Sequence, residues 1–321
     1  MNINPVLLLS FLIISFVTTY LLAPKLVGKA KEVGMAGIDL HKNDGSEVAK
    51  IGGVSILVGF IGAVTLSGMM GVNEKLMLAI LLSASLGGLI GLLDDLFTLN
   101  KKVLVFSTLL MGMPIITFRA GSTMIYLTPF GPADLGVFFW LSVPLIFAFL
   151  ANGVNIYAGF NGLEAGLGAI TATSLAISSL VYGSTESAIA FFSLTGALIA
   201  FLKWNWHPAK VFPGNSGTYL IGAVLAASII AGMIKLAGVI ATTPYLINLL
   251  LRALDGFRWS VGETSEEGLV YSTKINALWA LFMYRRPRGE PRVVAYCLLL
   301  QALFGGIAIV FSCYHSNVLI T

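Results

Sequence analysis

Long apolar runs of about 20 residues recur along the whole chain and alternate with short polar segments. A helix of about 20 apolar residues covers roughly 30 Å, the thickness of the hydrocarbon core of a bilayer. The pattern therefore predicts an all-α, polytopic membrane protein with about ten transmembrane helices. The predicted spans lie near 4–23, 51–71, 75–93, 103–120, 134–152, 163–182, 187–204, 213–233, 236–252 and 292–313.

Ten spans place both termini on one side of the membrane and the odd-numbered connections on the other. These connections cover about 24–50, 94–102, 153–162, 205–212 and 253–291. No segment outside the spans is long enough to fold alone, so we expect residues 1–321 to form a single integral-membrane domain. On the opposite side, residues 121–133 combine β-branched and aromatic residues with Pro-Phe-Gly-Pro, which predicts a small hairpin.

The composition agrees with a membrane location. Apolar residues make up 57% of the chain and charged residues 11%, with a mean hydropathy of +0.90, whereas soluble domains average about 25% charged residues. The first apolar run lacks a basic leader and a small-residue cleavage site, so we expect a retained transmembrane helix. Cys297 and Cys313 both fall in the last run, about 24 Å apart along a helix, which excludes a disulfide between them.

The basic residues are distributed unequally between the two sides. Sixteen of the nineteen lysines and arginines lie in or beside the odd-numbered connections, and only Lys75, Arg119 and Lys235 lie at the other side. Lysine and arginine are enriched in cytoplasmic loops. We therefore predict a cytoplasmic active site in the cell membrane, with both termini outside.

The stretch GLLDDLFTLNKK, residues 91–102, contains the first candidate chemistry. Asp94 and Asp95 are followed by Lys101 and Lys102. Two adjacent carboxylates repel each other, so the pair suits a divalent metal, a general base, or both. The alternative is an ordinary solvated helix end, which is the commoner explanation for an isolated Asp-Asp pair.

The stretch NIYAGFNGLEAG, residues 155–166, places Asn155, Asn161 and Glu164 among three glycines. Because it falls in a predicted cytoplasmic connection, these side chains face water and avoid the desolvation cost of a polar group in hydrocarbon. Glycines let a backbone approach a ligand closely, and amide oxygens can ligate a hard cation or bind a base edge. The alternative is a polar turn with a helix cap.

Residues 203–222, KWNWHPAKVFPGNSGTYLIG, offer several backbone amides at the start of the eighth predicted helix. A helix N-terminus attracts phosphate. Lys210 adds a positive charge, and His207 could contact phosphate or cap the helix. The alternative is a capped membrane helix with two interfacial tryptophans.

Two further segments, 37–55 and 284–294, carry polar residues to the same side. The arginines of the second segment also suit contact with anionic lipids, although that explanation does not require an acidic residue among them. The candidate residues are Asp39, Lys42 and Gly53 from the first segment and Glu290 and Arg292 from the second.

The five segments together favour phosphoryl transfer at a membrane surface, where positioning and charge neutralisation supply most of the catalysis. A transporter is the rival class, because ten helices and 35 glycines suit one equally well. Transporters, however, bind substrate near the middle of the membrane through broken helices. Here the polar residues gather at one side and the spans hold few charges. No nucleic-acid partner is expected.

These motifs resemble those of the polyprenyl-phosphate N-acetylhexosamine-1-phosphate transferases, ten-helix enzymes that use Mg²⁺ to move a sugar-1-phosphate from a UDP-sugar to a polyprenyl phosphate. GLLDDL is similar to the family's paired-aspartate motif, NIYAGFNGLEAG to its Asn-rich nucleotide and metal motif, and VFPGNSGTYLIG to its F-x-G-D loop. The resemblance covers about residues 37–310.

Within that family, GIDLHK, FNGLEAG, NWHPAKVF and GLVYSTK resemble the dolichyl-phosphate GlcNAc-1-phosphotransferase branch. The bacterial phospho-MurNAc-pentapeptide branch has a histidine triplet in its last cytoplasmic loop, whereas the only histidines here are His41, His207 and His315. The long insertion of eukaryotic enzymes is also missing, so we expect an archaeal-type enzyme for the first membrane step of lipid-linked glycan assembly. The same chemistry on a bacterial undecaprenyl acceptor stays open.

The resemblance implies a role for each matching residue. Asp94 and Asp95 match the catalytic pair, as base for the acceptor phosphate and organiser of the metal site, and Lys102 or Lys101 would hold phosphate. Asn155 matches a ligand of Mg²⁺, with Mn²⁺ as a second candidate ion. The substrate-binding candidates are Gly159, Asn161 and Glu164 around the uridine, Glu290 and Arg292 at the diphosphate and N-acetyl sugar, and Asp39, Lys42, Gly53 and Lys210.

The sequence departs from the family at Asn215, where the F-x-G-D loop has its metal-binding aspartate. An amide oxygen can ligate Mg²⁺ but lacks the charge that holds a hard cation against water. Three explanations stay open: tolerated natural drift, an engineered inactive variant, or metal held mainly by Asn155 and the diphosphate. The expected partners are a UDP-N-acetylhexosamine, a polyprenyl or dolichyl phosphate and membrane lipids, and the sequence also allows a homodimer.

Overall fold

The computed structural model describes residues 5–32, 34–38, 47–127, 131–258 and 260–320. The helices within these ranges are α1 Pro5–Glu32, α2 Gly53–Thr65, α3 Glu74–Phe97, α4 Lys101–Leu110, α5 Met113–Thr117, α6 Gly136–Ile156, α7 Leu163–Val181, α8 Thr185–Asn205, α9 Gly214–Ala231, α10 Lys235–Leu254, α11 Leu278–Leu281 and α12 Glu290–Ile320. The strands form three antiparallel hairpins: β1 Ala36–Ile38 with β2 Glu47–Ala49, β3 Met124–Leu127 with β4 Gly131–Asp134, and β5 Glu263–Thr264 with β6 Val270–Tyr271.

Eight of the described helices are long and apolar enough to cross a membrane, namely α1, α3, α6, α7, α8, α9, α10 and α12. The chain is 72% helical, which confirms the all-α, polytopic membrane class. The helices at the second and fourth predicted spans are shorter than the apolar pattern predicts. The second is the apolar helix Gly53–Met69, which consists of α2 and most of the 3₁₀ helix Leu66–Met70 that follows it, and the fourth is divided into α4 and α5. Pro114 at the start of α5 lacks the amide hydrogen that a continuous helix would need there.

Two membrane helices continue further into the polar connections than the apolar pattern predicts. Asp94 and Asp95 lie in the last turn of α3, and Asn155 lies in the last turn of α6. The helix α3 ends where Thr98 adopts a left-handed conformation, with its backbone amide 2.9 Å from the Asp94 carbonyl oxygen. These three polar side chains are therefore carried by rigid helix ends.

The helix α9 forms the centre of the bundle, since every residue from Ser216 to Ala231 is buried. It packs against α2, α3, α6 and α8. Small residues allow this close approach: Gly87 and Gly91 of α3 lie against the α9 backbone at Tyr219 and Asn215. Because α9 is enclosed in this way, the start of α9 is fixed against the end of α3.

The helix ends separate into two groups. At one end of the bundle, Asp95 at the end of α3 contacts the start of α9, and the Gly53 amide at the start of α2 donates to the Pro213 carbonyl oxygen at 2.8 Å. At the other end, the Asn73 amide before α3 donates to Glu186 at the start of α8, at 2.8 Å. The ends of α2, α3, α8 and α9 thus lie on the sides that the span pattern predicts.

The predicted hairpin at 121–133 is confirmed as β3 and β4, which pair from Met124 with Asp134 to Leu127 with Gly131. The Lys235 Nζ atom, at the start of α10, donates to the carbonyl oxygens of Ser122 and Met124 and fixes the base of this hairpin. In α12, Cys297 and Cys313 are free thiols, which confirms the absence of a disulfide.

Candidate active site

The carboxylate of Asp95 caps the N-terminus of α9. Its Oδ1 atom accepts a hydrogen bond from the backbone amide of Asn215 at 2.7 Å, and its Oδ2 atom accepts one from Ser216 at 2.9 Å. The first amides of a helix have no partner within the helix, and the helix dipole favours an anion there. The sequence predicts that these amides attract a substrate phosphate. In the structure they bind this internal carboxylate, which ties the end of α3 to the start of α9.

The neighbouring carboxylate, Asp94, has different partners. Its Oδ1 atom accepts a hydrogen bond from the Leu99 backbone amide at 2.8 Å, and its Oδ2 atom accepts one from the side-chain amide of Asn215. A side-chain amide can rotate away, whereas the backbone amides that hold Asp95 cannot leave without disrupting α9. Asp94 is therefore the member of the pair that can exchange its partner for a substrate or an ion.

Asn155 approaches the same turn of α9 from the end of α6. Its Oδ1 atom accepts a hydrogen bond from the Thr218 hydroxyl at 2.9 Å, and that hydroxyl also lies 3.3 Å from the Asn215 carbonyl oxygen. Thr218 is buried one turn after Asn215. The first turns of α9 thus bring Asp94 and Asn155 to Asn215. Asp94 is 121 residues and Asn155 is 63 residues from its α9 partner along the chain. The sequence did not indicate Thr218, a common residue in a membrane helix.

The side chains around the start of α9 suit a hard divalent cation in chemical type. Carboxylate and amide oxygens are the ligands that Mg²⁺ prefers, and Mg²⁺ commonly keeps several waters and substrate phosphates as further ligands. Among the described residues, no three His, Cys, Asp or Glu side chains lie close enough together to hold a metal by themselves. With Asp95 engaged by α9, one carboxylate and two amides fit an ion that is bound jointly with a phosphate-bearing substrate.

A second polar cluster surrounds Glu290, the first residue of α12. Its side chain is 4% exposed; the Oε1 atom accepts a hydrogen bond from the Asn161 backbone amide at 2.6 Å, and the Oε2 atom lies 3.1 Å from His207 Nδ1. Asn161 is also buried, and its Nδ2 atom lies 3.5 Å from the same ring nitrogen. A buried carboxylate requires hydrogen bonds or a positive partner. The sequence predicts only phosphate contact or capping for His207, and it does not reveal this pairing across 83 residues.

The loop between α6 and α7 connects the two clusters. Gly159 has a φ of +137°, and a Cβ atom there would lie 3.0 Å from Val261 Cγ1, so the position favours glycine. Glu164 is buried in the first turn of α7 and accepts a hydrogen bond from the Gly159 backbone amide. Gly159 and Asn161 therefore lie in one short turn, and Asn155 and Glu164 lie in the two helix ends that flank it.

Three predicted cationic residues lie outside these hydrogen-bonded clusters. Lys102 is exposed in the first turn of α4, Lys210 is exposed with its Nζ atom 5.7 Å from the ring centre of Trp204, and Arg292 is exposed in the first turn of α12. None of the three forms an ion pair with a carboxylate in the part of the chain that the structure describes. Their substrate contacts stay predictions.

The remaining predicted residues come from the segment before α2. Gly53 is buried against α9, where a Cβ atom would overlap the backbone at Pro213 and Gly217. Close helix packing accounts for this glycine, and a contact with substrate stays a prediction. Asp39 and Lys42 lie outside the described residues.

Comparison with known proteins identifies the family of the chain. Residues 77–233 match the family model described as glycosyl transferase family 4. A protein of Saccharolobus solfataricus is 32% identical over 305 residues, which cover 93% of this chain and 95% of the relative. The chain belongs to glycosyl transferase family 4. This confirms the resemblance inferred from the motifs.

The names of the family 4 relatives describe related reactions. The Saccharolobus solfataricus relative is named, provisionally, as a UDP-N-acetylglucosamine–dolichyl-phosphate N-acetylglucosaminephosphotransferase. A Dictyostelium discoideum protein has that name without reservation and is 24% identical over 355 residues, 93% of this chain and 87% of its own. A phospho-N-acetylmuramoyl-pentapeptide-transferase of Desulforamulus reducens is 32% identical over 264 residues, 74% of this chain and 77% of its own. The segment that matches the family model contains Asp94, Asp95, Asn155 and Asn215.

Proposed function

We propose that the protein transfers N-acetylglucosamine-1-phosphate from UDP-N-acetylglucosamine to a polyprenyl or dolichyl phosphate and releases UMP. The observation that carries this proposal is the convergence of Asp94, Asn155 and Asn215 at one end of a bundle of membrane helices. A nucleotide sugar from water and a phosphate on a lipid can meet there. Relatives named for this reaction match 93% of the chain, which supports the choice of substrates.

The proposed reaction takes place on the cytoplasmic side of the cell membrane, with both termini outside. Support comes from the sixteen basic residues in or beside the connections at the site's end of the bundle. The polar clusters lie at helix ends rather than at the middle of the spans, where a transporter would bind its substrate. Membrane lipids surround the spans, and a homodimer stays a prediction.

In the proposed reaction, a phosphate oxygen of the acceptor lipid attacks the β-phosphorus of UDP-N-acetylglucosamine. The new bond joins that oxygen to the β-phosphorus, and the bond from the β-phosphorus to the bridging oxygen breaks, so that UMP leaves with this oxygen. Asp94 orients the attacking phosphate or accepts its proton, because its side-chain partner can be exchanged. Asp95 keeps the start of α9 in place.

The rival two-step route passes through a covalent phosphosugar on an aspartate. A labelled phosphosugar adduct that forms without acceptor lipid would support that route and contradict direct transfer.

Mg²⁺ would be held by Asp94, Asn155 and Asn215 together with the diphosphate of the substrate, and Mn²⁺ is a second candidate. When bound, the ion would neutralise negative charge on the diphosphate. The chain's own contribution is to hold the three side chains at helix ends. Gly159, Asn161 and Glu164 shape the neighbouring turn for the uridine, and Glu290 fixes the backbone of that turn through Asn161.

The test of the proposed function is UMP release by the purified protein from UDP-N-acetylglucosamine, with and without polyprenyl phosphate and Mg²⁺. We expect UMP only when all components are present. A panel of UDP-N-acetylhexosamines, combined with dolichyl and undecaprenyl phosphate, determines the preferred sugar and acceptor. Absence of UMP from every combination would contradict the proposal.

Replacing Asn215 with aspartate is expected to lower the Mg²⁺ concentration for half-maximal UMP release by about tenfold, because ligand charge tunes cation affinity. The Asn215 amide donates to Asp94, so the substitution places two carboxylates in contact. Such a pair repels unless a cation lies between its members. Without Mg²⁺, the Asn215→Asp protein should also unfold at a lower temperature than wild type. Added Mg²⁺ should raise its unfolding temperature more than it raises that of wild type.

The matched control for this substitution is Asn73→Asp, at the cap of α3 on the opposite end of the bundle. We expect it to leave the Mg²⁺ dependence unchanged. If Asn215→Asp does not alter either Mg²⁺ response, Asn215 is not a ligand.

Replacing His207 with glutamine is expected to raise the KM for UDP-N-acetylglucosamine about tenfold, which corresponds to about 1.4 kcal/mol, with a smaller effect on kcat. The substitution removes the imidazole nitrogen that lies 3.1 Å from the buried Glu290 carboxylate, which holds the Asn161 amide. His207→Lys, which places a positively charged N–H donor near Glu290, should restore part of the KM. His315→Gln, at the far end of α12, is the control and should behave as wild type. An unchanged KM in His207→Gln would exclude this positioning role.

A further inference from the structure

A cavity of about 530 Å³ lies between α11, the following segment and the start of α12. Two guanidinium groups and two phenol rings line it, together with apolar side chains. The residues that matter here are Arg286, Arg288, Tyr284 and Tyr296, with Ile275 and Leu281 among the apolar ones. The cavity thus combines positive charge with an apolar wall.

Within the described residues, the positive charges of this cavity have no counter-charge. Neither Arg286 nor Arg288 forms an ion pair with a carboxylate in the described parts of the chain. The Arg288 Nε atom is buried without a hydrogen-bond acceptor in the structure. A buried donor that lacks an acceptor is unfavourable. The other guanidinium nitrogens of Arg286 and Arg288 are the groups that an anion in the cavity would contact.

The Arg288 side chain is already positioned for such a ligand. Its backbone amide and carbonyl oxygen are both paired with Val270, at 2.9 and 2.8 Å. Its guanidinium carbon lies 5.3 Å from the ring centre of Tyr296, and its Nη1 atom lies 3.4 Å from the Tyr296 hydroxyl. Arginine binds phosphate through several parallel N–H groups, and a fixed guanidinium loses less conformational entropy on binding.

The surroundings of the cavity indicate a ligand with a hydrocarbon part. The cavity adjoins the start of α12, whose membrane-spanning segment begins at Glu290. On its rim, Leu281 and Ile275 are 52% and 44% exposed. An anion dissolved in water would gain nothing from these apolar side chains, whereas an acyl chain would cover them. Basic pockets beside membrane helices suit anionic headgroups for the same reason.

We propose that this cavity binds the phosphate of an anionic glycerophospholipid from the surrounding leaflet. The residues that line this cavity are not those of the candidate active site: the Glu290 carboxylate contacts Asn161 and His207, while Arg288 packs on Tyr296. The proposal does not depend on the proposed reaction. A bound lipid stabilises the segment that leads into α12.

The test uses the purified, delipidated full chain in detergent micelles. Phosphatidylglycerol and phosphatidylcholine with identical acyl chains are titrated, and bound lipid is counted by native mass spectrometry while the unfolding temperature is followed. We expect phosphatidylglycerol to bind and raise the unfolding temperature, and phosphatidylcholine to do neither. The double variant Arg286→Gln/Arg288→Gln should lose at least about tenfold in apparent phosphatidylglycerol affinity, as expected for removal of charge-assisted phosphate contacts.

The matched control is Arg258→Gln/Arg285→Gln, which removes two exposed charges that do not line the cavity. It should bind phosphatidylglycerol as wild type does. An equal loss of affinity in both double variants would show that only the net charge of the protein matters, and this would overturn the proposal. Inorganic phosphate and UMP form a further arm. If either raises the unfolding temperature of wild type but not of Arg286→Gln/Arg288→Gln, the cavity recognises free phosphate and the lipid assignment is wrong.

A second variant covers the case in which the double variant fails to fold. Arg288→Lys keeps the charge but loses the planar set of donors. We expect a loss of several-fold in phosphatidylglycerol affinity with no change in the unfolding temperature of the lipid-free protein. Unchanged affinity in Arg288→Lys would overturn the proposal.

Discussion

Replacing Asp94 with asparagine is expected to lower the rate of UMP release by about 10²–10⁴-fold, the range for loss of a positioned acid–base group. The substitution preserves size and still offers an oxygen to the Leu99 amide, so the end of α3 should keep its structure. Among the described residues, it removes the one carboxylate at the start of α9 that does not bind the backbone amides of that helix. The result should therefore be lower turnover without a lower unfolding temperature.

The measurement for Asp94→Asn is kcat at saturating UDP-N-acetylglucosamine and polyprenyl phosphate, repeated over a range of Mg²⁺ concentrations. Asp134→Asn is the matched control, since Asp134 lies at the opposite end of the bundle. Hydrogen bonds from Thr123 and the Gly136 amide lower the pKa of Asp134, so this control also removes a full negative charge. A kcat within tenfold of wild type in Asp94→Asn would show that Asp94 neither orients the acceptor nor takes its proton.

The helices of this protein are predictable because the signal for each is local. An apolar run of about 20 residues has few alternatives to a membrane helix, and the alternation of basic connections assigns their direction. The helices at the second and fourth spans are shorter than predicted because the hydropathy of a run does not show where a helix breaks. The fourth apolar run is divided into α4 and α5, with Pro114 at the start of α5, although apolar residues continue on both sides of the break.

For the candidate site, the sequence predicts which residues lie at the same end of the bundle, but not which of them contact each other. Span direction brings Asp94, Asn155 and Glu290 to the same side whatever the packing between helices. Their partners depend on that packing, and separations of 120 residues between Asp95 and Asn215 or 83 between His207 and Glu290 leave no local pattern. The sequence therefore does not indicate that His207 pairs with Glu290, although His207 lies close to the start of α9 along the chain.

The two adjacent aspartates illustrate the same limit most sharply. In the sequence Asp94 and Asp95 are equivalent, because both follow an apolar run and precede lysines. On a helix, adjacent side chains point about 100° apart, so one can face α9 while its neighbour faces the solvent-accessible end. The position of α9 alone makes Asp95 the cap and leaves Asp94 with an exchangeable partner.

Replacing Asp95 with alanine is expected to lower both turnover and the free energy of unfolding, the latter by about 1–2 kcal/mol, which is typical for loss of a helix N-cap. The substitution leaves the backbone amides of Asn215 and Ser216 without their acceptor. Because Asn215 and Thr218 lie in the first turns of α9, movement of this helix start also displaces the hydrogen bonds to Asp94 and Asn155. Activity is therefore lost through position rather than through a missing chemical group.

Asp95→Asn separates position from charge, since its single side-chain oxygen can still accept from one of the two amides. It should keep part of the stability and part of the turnover that Asp95→Ala loses. Asp94→Asn, in contrast, should be as stable as wild type and have low turnover. Thermal unfolding in detergent and kcat are measured on the same preparations of both variants. If Asp95→Ala unfolds as wild type does and loses only turnover, Asp95 acts on the substrate directly. The division of labour between the two aspartates would then have to be abandoned, because the helix cap would not be what Asp95 supplies.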